Sequence, residues 1–203
     1  MKIIVAKTAG FCMGVRRAVD LAIDRSRGSS NELLTLGPLI HNSQTIDMLR
    51  KHGVQTYDET RPLEKPTTLL IRAHGVPPEK QAKYETEGHE IIDGTCPKVK
   101  TVHRVIQKYK AQDYSIIIAG DQGHAEVVGL QTYAAEAGHL VQTPEDIDDL
   151  PELDKVCLVS QTTFDRETFD AIASAVRKRF DSSEIAVKKT ICSATSQRQS
   201  ETK

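Results

Sequence analysis

The stretch LGPLIHNSQTIDMLRKHGVQT, residues 36–56, reads as the end of a strand, a glycine, a polar loop with a histidine, a helix, a second glycine and a second strand. The stretch AGDQGHAEVVGLQTYAAEAGHLVQT, residues 119–143, has the same order and also ends in VQT. The parallel continues downstream. TTLLIRAHGVPPEK (67–80) pairs with KVCLVSQTTFDRET (155–168), each a strand, a polar loop and a helix start; EIIDGTC (90–96) pairs with IAVKKTIC (185–192). This is an internal repeat of a small strand–helix unit. Its strand-like runs are continuously apolar and β-branched, as strands buried on both faces are. They lie at 2–7, 32–37, 67–73, 89–93, 114–120, 139–143, 155–161 and 184–189. Helical spacing of apolar residues marks 15–27, 98–112 and 166–180, with Lys and Arg late in each segment. Alternating strands and helices imply an α/β fold with parallel sheets covered by helices, hence three-layer units. The expected first unit is 13–96 and the second 97–192. Residues 1–12 and 193–203 are left over, and fit as remnants of an incomplete third unit.

The chain has 203 residues and a net charge of −1, so no basic field points to nucleic acid. Aromatic residues make up 4% and Trp is absent, which argues against a base-stacking platform. No apolar run reaches the roughly 20 residues of a membrane span, and the start is too short for a signal peptide. The expected location is the cytoplasm, where four cysteines are poor disulfide candidates.

Three of those cysteines end apolar runs. Cys96 and Cys192 close the two repeats, and Cys12 closes the opening run IIVAKTAGFC. In open α/β sheets, ligands bind beyond the carboxyl ends of strands. Three thiolates there suit zinc with one open position, or an iron–sulfur cluster with one iron lacking a protein ligand. Any one of them is more often a small buried apolar residue; recurrence at equivalent places favours the ligand reading. Cys157, inside KVCLVS, reads as core.

His41, His74 and His124 all fall at strand-to-helix transitions, where helix N-termini favour anions and imidazole can donate to phosphate oxygens. His52, His89, His103 and His139 carry no such signal. Glu126 lies two residues after His124 in the first helical turn; the dipole alone accounts for an acid there, and the functional reading is a proton donor beside an anion site. Asn42, Gln161, Thr162 and Thr163 either contact substrate or cap helices. Asp93 and Asp121 lie near the same edges. The glycine patterns of nucleotide-binding loops and the serine elbow of hydrolases are absent.

Seven segments, AGFCMGVRRAV, GPLIHNSQ, IRAHGV, DGTCPKV, AGDQGHAEVVG, VSQTTF and TICSATSQRQ, occur in an order that resembles the 4-hydroxy-3-methylbut-2-enyl diphosphate reductase family from residue 3 to about 200. The resemblance implies a pseudo-threefold set of α/β units around a central iron–sulfur site. It implies a [4Fe-4S] cluster held by Cys12, Cys96 and Cys192, whose remaining iron binds the allylic hydroxyl of the substrate. Reduction then removes that hydroxyl as water, leaving isopentenyl and dimethylallyl diphosphate. It assigns the diphosphate to His41, His74 and His124, proton delivery to Glu126, and substrate ordering to the VSQTT stretch, Thr162 before Thr163. It also implies an electron donor such as a ferredoxin or flavodoxin.

The family's third unit, with a Ser-Ser-Asn stretch and a later serine for the diphosphate, would fall past Lys203. The expectation is therefore a chain with the third unit largely missing. The alternative reading is an impaired or inactive form that keeps the scaffold with cluster or ligand binding.

Overall fold

The computed structural model describes residues 3, 5–28, 32–40, 42–63 and 67–202. Two units emerge: Phe11–Pro97, and Lys98–Lys203 together with Met1–Gly10.

In the first unit, α1 (Met13–Gly28), β1 (Leu33–Leu36), α2 (Ser43–Lys51), β2 (Val54–Thr56), β3 (Thr68–Ile71), α3 (Pro78–Thr86) and β4 (Glu90–Asp93) follow one another. Its parallel sheet has the order β2-β1-β3-β4. In the second unit, α4 (Pro97–Lys110) leads into β5 (Ser115–Ala119), α5 (Ala125–Ala134), β6 (Gly138–Val141), β7 (Lys155–Ser160), α6 (Arg166–Arg179), β8 (Glu184–Val187) and α7 (Ser193–Thr202). That sheet is also parallel, in the order β6-β5-β7-β8. The two sheets share one topology, which is the repeat read from the sequence. Each reverses winding direction between its first and third strands. The carboxyl ends of β1 and β3, and of β5 and β7, are therefore the places where such a fold receives ligands.

Period-two alternation builds the layers. Ile116 and Ile118 of β5 pack with Val102 and Ile106 of α4 and Leu130 of α5. Ile117 and Ala119 face the other way, onto Phe169, Ile172 and Val176 of α6. Both faces of β5 are thus dry, and each such large side chain contributes about 1.5–3 kcal/mol on burial. In the first unit, α1 and α2 cover one face around Leu70, and Tyr84 of α3 covers Leu69 and Ile71 on the other. Cys157 is core as expected: it is fully buried, and burial pushes its thiol up to about 12.

The helices α2 and α6 start on oxygen side-chain caps. Asn42 accepts from the Thr45 N–H at 2.8 Å, and Asp165 from the Thr168 N–H at 2.8 Å. Asn42 thus serves as a cap.

One expected strand does not form. Of the run 2–7, Ile3, Val5 and Ala6 have no regular structure, and Lys7 begins a turn; Lys2 and Ile4 lie outside the described residues. A strand needs a ladder partner, and none pairs with this run among the described residues. Instead, Glu201 of α7 accepts from the backbone N–H groups of Lys7 and Thr8, and Arg198 donates to the Gly10 carbonyl at 2.8 Å. Ile3 and Val5 are left exposed.

Candidate active site

In the second unit, the chain leaves β7 at Ser160 and turns through Gln161, Thr162 and Thr163. Thr162 is buried, and both its donors point at Glu126. Its N–H reaches Oε1 at 2.7 Å and its hydroxyl reaches Oε2 at 2.7 Å. Glu126 lies in the first turn of α5 and is only 1% exposed. Burial pushes its carboxyl above the ordinary carboxylate range, while the two Thr162 bonds oppose this less strongly. An acid raised in this way keeps a proton nearer neutral pH and can deliver it.

His124 caps the same helix. Its Nδ1 accepts from the Glu126 N–H at 3.2 Å, which places the neutral ring's own proton on Nε2. The Thr162 carbonyl accepts from the Cys192 N–H at 2.9 Å and from the Thr195 hydroxyl at 3.0 Å. Glu126, Thr162 and Cys192 therefore form one connected chain of hydrogen bonds. Cys192 directly precedes α7, and its carbonyl accepts from the Ser196 N–H at 3.1 Å. Thr163 is exposed.

Gln161 and Asp121 pair across the switch point between β5 and β7. The Gln161 amide donates to Asp121 Oδ2 at 2.6 Å and accepts from the Asp121 N–H at 3.0 Å. Gly120 leaves room for this: a Cβ there would meet Val127 Cγ2 at 2.6 Å and Gln161 Oε1 at 3.0 Å.

In the first unit, Cys12 directly precedes α1 and its carbonyl accepts from the Arg16 N–H at 2.9 Å. Cys96 directly precedes α4, and its N–H donates to the Ala73 carbonyl beyond β3 at 2.9 Å. Asp93 orders this turn by accepting from the Thr95 N–H at 2.9 Å. Gly94 has backbone packed against it, since a Cβ there would stand 2.2 Å from the Ile71 carbonyl oxygen. His74 follows β3 in a half-buried turn closed by the Gly75 N–H on the Arg72 carbonyl at 2.9 Å. His41 lies outside the described residues.

Each of the three cysteines thus stands immediately before a helix, where orphan N–H groups favour an anion. Among the described residues, no three His, Cys, Asp or Glu side chains come together as a site for a single metal ion. A single ion draws its ligands to about 2.0–2.3 Å from one point, whereas each thiolate of an iron–sulfur cluster takes a different iron. The soft thiolate donor set fits such a cluster, and Gly14 gives Cys96 its place in it, since a Cβ there would stand 2.4 Å from Cys96 Sγ.

Several roles escaped the sequence. Thr195 anchors the Thr162 carbonyl, and Gly14 yields space to Cys96, yet neither has a signature in spacing or composition. Asp121 and Gln161 drew notice at strand ends, but only the parallel β5–β7 pairing shows that they bond each other.

The chain is a repeated, doubly wound α/β protein with a buried carboxylic acid at one switch point. The family model described as LytB protein matches residues 3–203. The 4-hydroxy-3-methylbut-2-enyl diphosphate reductase of Caldanaerobacter subterraneus subsp. tengcongensis is 36% identical over 202 residues, covering 98% of this chain and 69% of the relative. The reductase of the same name from Aquifex aeolicus is 37% identical, covering 99% and 70%. A solved structure of (E)-4-hydroxy-3-methyl-but-2-enyl diphosphate reductase, the terminal enzyme of the non-mevalonate pathway, superposes with a TM-score of 0.87 at 38% identity, covering 98% of this chain and 71% of that one. The chain belongs to the LytB family. No helix among the described residues is long and apolar enough to cross a membrane.

Proposed function

We propose that the chain is an oxidoreductase of the non-mevalonate isoprenoid pathway that converts 4-hydroxy-3-methylbut-2-enyl diphosphate to isopentenyl and dimethylallyl diphosphate. In this reaction the allylic C–O bond breaks. Two electrons and two protons enter; the oxygen leaves as water and the carbon skeleton gains one hydrogen. Family membership supports the substrate. The observation that carries the mechanism is the buried Glu126 carboxyl, held on both oxygens by Thr162 and linked through it to Cys192.

Cys12, Cys96 and Cys192 are the proposed ligands of a [4Fe-4S] cluster. When bound, that cluster supplies the electrons and a Lewis-acidic iron. The chain's own residues do the rest. Glu126 stores and releases a proton, because burial favours its neutral form. Thr162 fixes which way the carboxyl faces and orders the substrate through that acid, with Thr163 as a further proposed polar contact. His124, with its proton on Nε2, donates to the diphosphate at the N-terminus of α5; His41 and His74 are the other proposed diphosphate ligands. Electrons come from a small redox protein of the ferredoxin or flavodoxin kind. The proposed compartment is the cytoplasm, whose reducing surroundings keep thiolate ligands available.

The experiment is anaerobic reconstitution followed by metal and sulfide analysis. The expected result is a brown protein with about four iron and four sulfide per chain. Zinc without sulfide would overturn the cluster assignment.

A further inference from the structure

We propose that Gly14 is a positioning residue for the Cys96 thiolate, setting its place on the first turn of the helix that Cys12 opens. The inference rests on the cluster-ligand reading above. Gly14 is buried in α1 with an ordinary helical backbone, so glycine is not there for its conformational freedom. It is there for space: a Cβ would stand 2.4 Å from Cys96 Sγ and 3.2 Å from Cys96 Cβ. Real Cβ atoms do not approach sulfur that closely, so any side chain at 14 must drive the thiol away. One turn further along the same helix face, Arg17 reaches back to the same loop. Its guanidinium donates to the Thr95 carbonyl at 3.4 Å and to the Asp93 carbonyl at 3.3 Å, just before Cys96. From the other side, the Cys96 N–H is held by the Ala73 carbonyl at 2.9 Å. The loop is thus tied at its backbone from two directions, and the empty position at Gly14 decides where its sulfur goes. Cys12 and Cys96 are thereby held in a fixed relation before any iron arrives, as preorganised ligand sites require.

A double-mutant cycle on the metal-free protein tests the contact, and reconstitution of the same variants tests its purpose. Gly14→Ala should lower the unfolding midpoint by roughly 4–8 °C in the wild-type background. In a Cys96→Ala background, where the sulfur is gone, the same change should cost about half of that or less. After anaerobic reconstitution, Gly14→Ala should retain iron about 10–100-fold more weakly and show a shifted cluster midpoint potential and electron paramagnetic resonance signature. Arg17→Lys should load more iron than Arg17→Ala, because the ammonium still reaches one carbonyl. Equal loss of midpoint in both backgrounds would overturn the proposal. So would a Gly14→Ala protein with wild-type iron retention, potential and spectrum. Wild-type protein that takes up no iron and sulfide would overturn the cluster reading itself, a failure distinct from that of the packing cycle.

Discussion

Thr162 commits both of its donors to the two carboxyl oxygens of Glu126, each at 2.7 Å, in a place where both residues are buried. The arrangement leaves Thr162 no donor for anything else, and it gives the acid one orientation. Because the Thr162 carbonyl is bonded by Cys192 and Thr195, the proposed proton source and the third proposed cluster ligand share an anchor.

Thr162→Val should leave the N–H bond and remove the hydroxyl. A buried oxygen then loses a partner, at a cost of about 1–3 kcal/mol. Turnover should fall roughly 10–100-fold, while Thr162→Ser should restore most of it. Steady-state kinetics on anaerobically loaded protein would read this, and a valine variant as fast as wild type would remove Thr162 from the mechanism.

Glu126→Gln keeps the shape and removes the titration. In the folded chain the Glu126 carboxyl sits above its ordinary value of 4.5, chiefly through burial. Within the window from that value up to the raised one, the folded state holds more protons than the unfolded state. Stability from this group is therefore full below the window and lost as pH rises through it. The wild type should lose stability relative to Glu126→Gln on raising the pH from the ordinary glutamate range upward. Denaturant unfolding of both proteins across pH measures the difference, and parallel curves would mean that the acid is not perturbed.

The cysteines should separate cleanly. Cys12→Ala, Cys96→Ala and Cys192→Ala should each abolish bound iron and sulfide. Cys157→Ala should keep both and cost roughly 1–2 kcal/mol for the small cavity it leaves at a fully buried site. Iron loss in Cys157→Ala alone would reverse the assignment.

Gly120→Ala should strain the junction between β5 and α5, because its Cβ would meet Val127 at 2.6 Å and the Gln161 amide at 3.0 Å. A loss of about 1–3 kcal/mol in stability is expected. A Gly120→Ala, Gln161→Ala double variant should recover only part, since Val127 still blocks the site; full recovery would show that the amide alone was the obstacle.

The α/β fold was legible because period and composition agree over its central elements: β3, β5 and β7 are apolar runs buried on both faces, and α1, α4 and α6 carry one apolar stripe. Cys157 was read as core for the same reason. The run at 2–7 misled because its composition is that of a strand, and composition cannot say whether a neighbour exists to pair with it. Glu126 was legible as a candidate proton donor beside an anion site; its burial and its pairing with Thr162, 36 residues away in the chain, were not. Gly14 lies two residues from Cys12 in the chain, but the sulfur it accommodates belongs to Cys96, which no local pattern connects to it.

The most direct test is product analysis with 4-hydroxy-3-methylbut-2-enyl diphosphate and dithionite, comparing wild type and Glu126→Gln at equal iron and sulfide content. The account predicts isopentenyl and dimethylallyl diphosphate from the wild type, and a rate lower by about 10²–10⁴-fold from the variant. Fully loaded wild-type protein that releases neither product, or a variant that matches it, would contradict the account.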